Sequence, residues 1–575
     1  MFPSALLVLV VAFLFAYATY QSRTRSLKYP PGPTRLPVIG NLLQLPSKRQ
    51  WVKFREWALE YGPIYYLKAG PVDIIVLNTP EATEELLVKR NRIFGDRLAP
   101  HVAGDIVSAG QRMVLLPGES PEYKIIRKVL GAGLGPTHSK GHRLIQELES
   151  RVILHDLLNH GNQTAELMGE KLHAKESSHD PEFVEKHWFS LIRRFSTSIV
   201  LQIMYGERVH KIKGNDALHE LYEVVDKFCD VMLPGSFLAD TFTFLQRLPD
   251  FLSPWRLKAQ RMHRRELNLY GGFLDQIRAE HNAGTSHQEC FVGKYLKARD
   301  ISVSVSDPEQ REQATSGRGL TPDGGWLRDT LLSYTAGSVL EAGSDTTTST
   351  LTSFVLFMAR HPNVVEKEID RVVGRDRLPT FGDEGNLPYI VATVKEVMRC
   401  RPATPVGIPH RSTEETVYDG YLIPKGSVIF GNVWAIHLDP SRFENPMEFN
   451  PDRWLRGSPI RWGSSGSVQT RDNYSFGWGR RFCLGSSIAE ASLFIVVARI
   501  LWGLELQGPR DPSTGMIQTL DPWDEENFTT GVVTNAIPFN IAFKPRSERH
   551  REVIEQSFGD AQEQWDMLGL RRDEQ

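Results

Sequence analysis

Residues 476–485, with the sequence FGWGRRFCLG, constrain the fold most, because they place one cysteine in a glycine-broken loop directly before an apolar helix. Gly477 and Gly479 permit positive-φ backbone, so this loop can lie close against a flat partner and direct N–H groups at sulfur. Apolar residues recur at helical spacing over 486–500, which predicts that Cys483 sits at a helix N-terminus. The positive end of that helix favours a thiolate over a thiol.

Two arginines precede this cysteine, and Arg481 stands two residues before it. A planar guanidinium matches a carboxylate better than an ammonium does. We therefore interpret Cys483 as the thiolate ligand of a haem iron, with Arg481 pairing with a haem carboxylate. The alternative is a buried structural thiol, which is what most cysteines are.

The spacing F-x-x-G-x-R-x-C-x-G resembles the haem-binding signature of the cytochrome P450 family. It is filled here by Phe476, Gly479, Arg481, Cys483 and Gly485. The resemblance implies a cytochrome P450 fold, mainly α with a small β region (α+β), and the cofactor haem b, iron protoporphyrin IX. It also implies that Phe476 lies beside the cofactor. One large domain is expected, although a chain of 575 residues would otherwise suggest several domains.

Residues 326–360 predict a long helix with a flaw in its middle. Gly337 and Gly343 each cost about 1 kcal/mol relative to alanine in a helix interior, and such a conflict indicates function. We expect a broken helix that opens a groove. The sequence AGSDTT at 342–347 resembles the family's oxygen-activation motif. That resemblance implies Thr346 as a hydrogen-bond donor near bound oxygen and Asp345 as its proton supply, whereas an isolated Asp-Thr-Thr run is more often a polar helix face.

Two other segments resemble haem contacts of the family. The family usually has a tryptophan four residues before a propionate-binding arginine, and here Tyr123 takes that place ahead of Arg127. Tyrosine keeps an aromatic body and a polar donor. Arg127 alone is also consistent with a solvated basic helix face. The sequence IPHR at 408–411 resembles the strand that enters the haem pocket, with His410 as a further propionate contact.

A structural network is implied by three more residues. Glu396 and Arg399 are three apart on a predicted helix, so they lie close enough to pair. In the family, the residue that corresponds to Arg453 joins them in a buried triad that holds the haem loop. We assign these residues to structure and not to catalysis.

The N-terminus predicts a transmembrane signal-anchor over residues 1–22, because 2–20 contain no charged side chain and about 20 apolar residues span a bilayer. Arg23, Arg25 and Lys28 follow, which places the remainder in the cytosol. A cleaved signal peptide is the alternative, but no basic region precedes the apolar run. The resemblance places the protein in the endoplasmic reticulum membrane, single-pass, with its catalytic domain on the cytosolic side.

The parts expected after the anchor are a basic and proline-rich hinge (23–41), the haem-thiolate monooxygenase domain (42–545) and a charged C-terminal tail (546–575) that is solvated and dispensable. The formal net charge is −2, which gives no electrostatic argument for nucleic acid. Four scattered cysteines suit a reducing compartment and argue against a disulfide framework.

The motifs follow the family's order from about 29 to 544. Together they imply a membrane-anchored monooxygenase that inserts one oxygen atom of O2 into a lipophilic small molecule, by hydroxylation or a related oxidation, in fungal secondary (specialised) metabolite biosynthesis. Electrons would come from NADPH-cytochrome P450 reductase, with cytochrome b5 as a second donor, docking near Lys124, Lys128 and Arg480. Two alternatives stay open: a haem-thiolate isomerase or dehydratase that needs no external electrons, and a non-catalytic haem-dependent protein that binds lipophiles.

Overall fold

The computed structural model describes residues 28–160, 187–212, 215–233, 235–283, 290–303, 308–361, 366–456, 460–463, 471–508 and 520–568. The predicted signal-anchor over 1–22 lies outside the described residues, as do the first residues of the hinge and the last residues of the tail.

Helices dominate the described part of the chain. The longer α-helices are α1 (Gln50–Tyr61), α2 (Pro121–Leu134), α3 (Arg143–His160), α4 (Trp188–Tyr205), α5 (Asp216–Val231), α6 (Pro254–Ala283), α7 (Phe291–Ser302), α8 (Pro308–Thr315), α9 (Asp329–Arg360), α10 (Glu366–Val372), α11 (Pro388–Cys400), α12 (Ser486–Gly503) and α13 (Glu548–Met567). Shorter α-helices are Pro80–Thr83, Asn91–Phe94, Pro136–Ser139, Leu238–Thr241 and Val433–His437, and wider π-helical segments are Glu84–Lys89 and His101–Val107. Short 3-10 turns include Met113–Leu115, Pro451–Trp454 and Gly479–Arg481.

The strands are β1 (Ile64–Ala69), β2 (Val72–Leu77), β3 (Asp96–Arg97), β4 (His410–Arg411), β5 (Thr416–Tyr418), β6 (Tyr421–Ile423), β7 (Val428–Gly431), β8 (Leu504–Gln507) and β9 (Ala542–Pro545). One sheet has the order β1-β2-β7-β4-β3, and the pairs β5-β6 and β8-β9 stand apart. Only β2 and β7 pair in parallel among these strands. The β-branched and aromatic run of β1 and β2 explains their pairing, and the described part of the hinge packs there, with Tyr29 stacked 4.6 Å from Tyr66. The expected α+β class is confirmed.

Helix α9 is the central element, because most of its residues are buried and it packs against α4, α6, α11 and α12. It runs without interruption, so the prediction of a broken helix is wrong. The presence of Gly337 and Gly343 in this helix has a different explanation. A Cβ at Gly343 would lie 2.6 Å from Val200 of α4, and a Cβ at Gly337 would lie 2.5 Å from the Tyr270 ring of α6. Glycine is therefore required here for close helix packing, which offsets its low helix propensity.

The expectation of a solvated C-terminal tail is wrong for Glu548–Met567, which form α13. Ser547 caps this helix, and Val553, Ile554, Ala561 and Trp565 are buried. They pack mainly on α3 and also contact α12. An apolar stripe thus lies within a highly charged sequence, and burial of this stripe explains why the segment packs as a helix on the core.

Of the helices in the described residues, α12 is apolar and long enough to cross a membrane. Most of this helix is buried within the protein, however, and it belongs to the largest hydrophobic cluster. Its apolar composition is explained by that core position.

Candidate active site

A cavity of about 390 Å³ lies between α2, α4, α9, α12 and the loop before α12. All of the predicted site residues except Asp345 line it: Tyr123, Arg127, Thr346, His410, Phe476, Arg481 and Cys483. These residues come from separate parts of the sequence, so the fold brings together what the motifs predicted one by one.

The cysteine loop has the backbone that its glycines allow. Gly477 has φ +75° and Gly479 has φ +54°, and a Cβ at Gly479 would collide with the carbonyl of Leu87. The N–H of Cys483 donates to the carbonyl of Phe476 at 3.0 Å. Helix α12 begins three residues after the cysteine. The predicted position of Cys483 at a helix N-terminus is therefore confirmed.

The thiol of Cys483 faces the cavity, although the surrounding protein encloses it. Burial within the protein raises the pKa of this thiol, whereas the backbone N–H groups of Gly485 and Ser486 act to lower that pKa. A metal bound at the sulfur would deprotonate it outright. None of the other three cysteines, all within the described residues, lines the cavity.

Basic side chains surround one part of the cavity. Arg481 donates from Nε to the carbonyl of Gly95 at 2.9 Å and from Nη2 to the carbonyl of Leu116 at 2.6 Å. Arg127 Nη2 donates to the carbonyl of Phe482 at 3.1 Å. Their positions are thus fixed by backbone carbonyls and not by carboxylates.

Two of the predicted contacts are held in unexpected ways. His410 Nδ1 lies 2.8 Å from the carbonyl oxygen of Phe94, and burial keeps the pKa of His410 well below its usual range, with a further decrease from Arg97. The hydroxyl of Tyr123 donates to the carbonyl of Arg480 at 2.8 Å. Tyr123 therefore uses its polar donor within the loop, while its ring faces the guanidinium of Arg481 at 3.9 Å.

Arg97 is a cavity residue that the sequence analysis missed. It lies on β3 directly opposite His410 of β4, and its Nη1 donates to the carbonyls of Ile408 and Pro409. Its Nε is buried without a hydrogen-bond partner among the described residues. Burial and the neighbouring Arg481 lower the pKa of Arg97 to about 9. The sequence offered no signal beyond a lone Asp-Arg pair in an irregular segment.

The proposed oxygen-activation pair is split between two environments. The hydroxyl of Thr346 donates to the carbonyl of Ala342 at 2.7 Å, and Thr346 lines the cavity. Asp345 is buried and points elsewhere: its Oδ1 lies 3.7 Å from Arg193 Nη2 and 3.5 Å from Asn535 Nδ2. Burial raises the pKa of Asp345, and Arg193 opposes that rise.

Arg193 links the buried Asp345 to an acidic residue at the surface. Its Nη2 also donates to Asp226 Oδ1 at 2.9 Å, and the Asp226 side chain is 64% exposed. A path of charged groups therefore runs from solvent to α9 beside Thr346.

The predicted triad is present. Arg399 makes two hydrogen bonds to the carboxylate of Glu396, at 2.8 and 2.9 Å, and Arg453 Nε donates to Glu396 at 2.9 Å. Trp454 Nε1 adds a fourth donor at 2.9 Å. The buried carboxylate is fully paired, which is the condition under which such a network is stable.

The family model for cytochrome P450 matches residues 30–521 of this chain. The chain belongs to the cytochrome P450 family. Among its P450 relatives is cytochrome P450 monooxygenase 79 of Postia placenta, 42% identical, with 99% of this chain and 98% of the relative covered. Cytochrome P450 monooxygenase fogE of Aspergillus ruber is 33% identical, with 96% and 93% covered. Cytochrome P450 monooxygenase verL of Clonostachys rogersoniana is also 33% identical, with 97% and 94% covered.

The fold is shared with a zebrafish cytochrome P450 whose structure was determined with abiraterone. That structure has a TM-score of 0.61 and 22% sequence identity, and the match covers 86% of this chain and all of the zebrafish chain. The expected P450 fold is thus confirmed.

The relatives decide the enzyme class as well. This P450 is a haem-thiolate monooxygenase, because it belongs to the family and its relatives of 42% and 33% identity are named cytochrome P450 monooxygenases. Membership implies a haem, a redox partner and a small-molecule substrate. Neither the electron-independent isomerase nor the non-catalytic carrier is supported by these relatives.

Proposed function

We propose that this P450 inserts one oxygen atom of O2 into a lipophilic small molecule, by hydroxylation or a related oxidation, in fungal secondary metabolite biosynthesis. One observation carries the proposal: the cavity that contains the Cys483 thiol is also lined by Thr346 and by apolar side chains such as Met113, Val114 and Val339. A largely apolar cavity with few polar groups selects lipophilic ligands. The relatives fogE and verL are monooxygenases of fungi, which supports a fungal monooxygenase.

The cofactor we assign is haem b, iron protoporphyrin IX, with Cys483 as the iron ligand. Arg97, Arg127, His410 and Arg481 would hold its two propionates. The residues present fit such a group, because basic side chains converge on the cavity and the buried Nε of Arg97 lacks a hydrogen-bond partner among the described residues.

Asp96, which directly precedes Arg97 in the chain, is engaged with the backbone. The carboxylate of Asp96 already accepts a hydrogen bond from the N–H of Gly118 at 2.9 Å. An anionic cofactor would compensate the desolvated guanidinium of Arg97, whose pKa is lowered. Tyr123 and Phe476 would line the cofactor with their rings.

When bound, this haem supplies dioxygen activation, and thiolate ligation favours O–O cleavage. The chain supplies orientation and protons. Thr346 now donates to Ala342, but a threonine in a helix has a second rotamer that would turn its hydroxyl into the cavity. Asp345 would supply the proton, and Arg193, which stays protonated, would hold the Asp345 carboxylate in place through its ion pair and link it to the exposed Asp226. The apolar lining excludes bulk water from the reacting carbon.

The partners and location follow from the same class of enzyme. We propose electron supply by NADPH-cytochrome P450 reductase, with cytochrome b5 as a second donor, and a single-pass anchor over residues 1–22 in the endoplasmic reticulum membrane. Lys124 and Arg480 both pair with Glu119, at 2.9 and 2.6 Å, on an exposed surface beside the cysteine loop. An acidic partner would compete with Glu119 for these two cations.

The test is incorporation of labelled oxygen. The haem-loaded full-length protein is placed in phospholipid vesicles with NADPH-cytochrome P450 reductase and NADPH, under isotopically labelled dioxygen, with a lipophilic extract of the source organism. We expect metabolites that gain one labelled oxygen atom, only when reductase and NADPH are both present. Conversion without reductase, or products without the label, would overturn the proposal.

A further inference from the structure

Arg112 is a buried arginine outside the cavity, and its guanidinium is surrounded by charged and aromatic partners. Its side chain is 1% exposed, and its Nη2 lies 2.7 Å from Glu266 Oε2. Its Nη1 pairs with the carboxylate of Glu341. Its Nε donates to Ser108 Oγ at 3.0 Å, and the guanidinium lies 3.6 Å from the ring centroid of Phe228.

These partners belong to different elements. Glu341 lies on α9, Glu266 on α6 and Phe228 on α5, while Arg112 itself lies in the segment between His101–Val107 and Met113–Leu115. One guanidinium therefore connects this segment to three helices.

The same segment forms part of the cavity wall. Met113 and Val114 directly follow Arg112 and line the cavity, and Ala342, which follows Glu341, also lines it. The ion pair between Arg112 and Glu341 thus joins two residues that each directly precede a part of the wall in the chain. Because Arg112 directly precedes Met113 and is paired with α9, a movement of this segment away from α9 would work against the ion pair.

Separation of these charges is opposed by their surroundings. The hydroxyl of Tyr270 donates to the second oxygen of Glu341, so the carboxylate is held from α6 as well. Parting a buried pair leaves uncompensated charge in a low-dielectric site, and that is strongly unfavourable. A planar guanidinium serves two carboxylates at once, which a lysine cannot reproduce.

We propose that Arg112 is a positioning residue that fixes the wall formed by Met113 and Val114 to α9, and so limits the size of ligand that the cavity accepts. It acts through the wall and contacts no ligand. The inference rests on the proposed function in one respect, since the ligand in question is the lipophilic substrate of this cavity.

Hydrogen exchange of the full-length protein gives a test that does not depend on turnover. In Arg112→Lys we expect backbone amides over 101–115 to exchange about tenfold faster, while amides of α12 keep their rates. Glu223→Gln is the matched control, because Glu223 pairs with Arg265 of α6 at 2.8 Å on the surface. Unchanged exchange over 101–115, or equal acceleration in α12, would overturn the inference.

Ligand size gives the second test, on the haem-loaded protein. Two probes are titrated by their effect on the haem absorption spectrum: imidazole, which is too small to reach the wall, and clotrimazole, which fills a large cavity. In Arg112→Lys we expect the Kd of clotrimazole to fall by about tenfold, because the released wall admits a larger ligand, and that of imidazole to change by less than about twofold. Equal changes for both probes, or none for either, would contradict a positioning role.

Failure of the inference and failure of the proposed function are distinguishable. A protein that binds no haem would remove the proposed function, and the exchange rates would still decide the role of Arg112. Glu341→Gln is a second variant in case Arg112→Lys does not fold, because the amide keeps the shape and still accepts from Tyr270. We expect it to accelerate exchange over 101–115 in the same way, and unaltered rates would count against the inference.

Discussion

His437 Nε2 accepts a hydrogen bond from the backbone N–H of Tyr474 at 2.9 Å, within the protein interior. The carbonyl of His437 accepts a second hydrogen bond from Arg399 Nη1 at 3.0 Å. One residue therefore joins the Glu396 triad to the chain that leads into the cysteine loop. The position of Cys483 is set by this link as well as by the loop's own glycines.

Removing the acceptor should weaken that link. In His437→Ala the N–H of Tyr474 is buried without a partner, so we expect the free energy of unfolding to fall by about 1–3 kcal/mol from this loss alone. We also expect faster haem loss. Urea unfolding and haem transfer to a scavenging apoprotein measure the two effects. His437→Gln is the control, because its amide oxygen can accept, and an equal loss in both variants would show that packing alone is responsible.

Glu266 should make stability depend on pH. Burial raises the pKa of Glu266 to about 7, Arg112 opposes the rise and Glu341 adds to it. Tyr334 and Tyr270, which also interact with Glu266, stay protonated because burial raises the pKa of each. The folded protein thus keeps a proton that the unfolded chain releases above pH 4.5. We expect the free energy of unfolding to fall between about pH 4.5 and 7, by at most about 1.4 kcal/mol per pH unit.

The variant Glu266→Gln removes this titration, so its free energy of unfolding should decline less over the same window. His263, which lies 2.7 Å from the Tyr334 hydroxyl, has a pKa lowered by burial and gives a dependence of opposite sign. Urea midpoints at several pH values measure the difference between variant and parent. Glu220→Gln, in a surface pair with Arg265, should match the parent. A curve for Glu266→Gln parallel to the parent would contradict the assignment.

Thr346→Val should remove a hydroxyl without changing the size of the side chain. If this hydroxyl moves protons, product formation falls by about 10²-fold or more, the range typical of lost acid–base groups. The rate of electron uptake should stay close to the parent value. The measurement is product formed per NADPH consumed.

Thr350 provides the matched control for that variant. It lines the same cavity one turn later on α9, and its hydroxyl donates to the carbonyl of Thr346 at 3.2 Å. Thr350→Val should retain most of the activity. Equal losses in the two variants would mean that α9 tolerates no valine here, and not that Thr346 has a special role.

The C-terminal helix should be needed for stability. Trp565 is 2% exposed, and the guanidinium of Arg208 lies 4.7 Å from its ring centroid. Arg208 Nε in turn donates to the buried Glu149 at 2.8 Å. We expect Trp565→Ala to lower the free energy of unfolding by about 3–5 kcal/mol. Urea unfolding checks this, and Met567→Ala, at a position 78% exposed, should have little effect.

Local chemistry explains why the cysteine loop was predictable. The conformations of Gly477 and Gly479, and the start of α12 after Cys483, depend on neighbours in sequence, so the sequence pattern contains them. The triad was predictable for a related reason, since Glu396 and Arg399 share one helix. Its third member came from resemblance to the family, because Arg453 lies far away in the chain.

Other features depend on residues that are distant in sequence. Gly343 led to the wrong prediction of a broken helix, because the reason for a glycine there is the close approach of Val200 on another helix. Arg97 was missed, because its neighbours His410 and Arg481 lie more than 300 residues away in the chain. The stripe that buries Trp565 was hidden by the charged composition around it.

The central claim is that Cys483 ligates the iron of a bound haem, and its most direct measurement is the absorption spectrum of the purified, reduced protein with carbon monoxide. We predict the red-shifted Soret band of a thiolate-ligated haem, and loss of that band in Cys483→Ser. A folded protein without porphyrin, or a band characteristic of an imidazole-ligated haem, would contradict the claim.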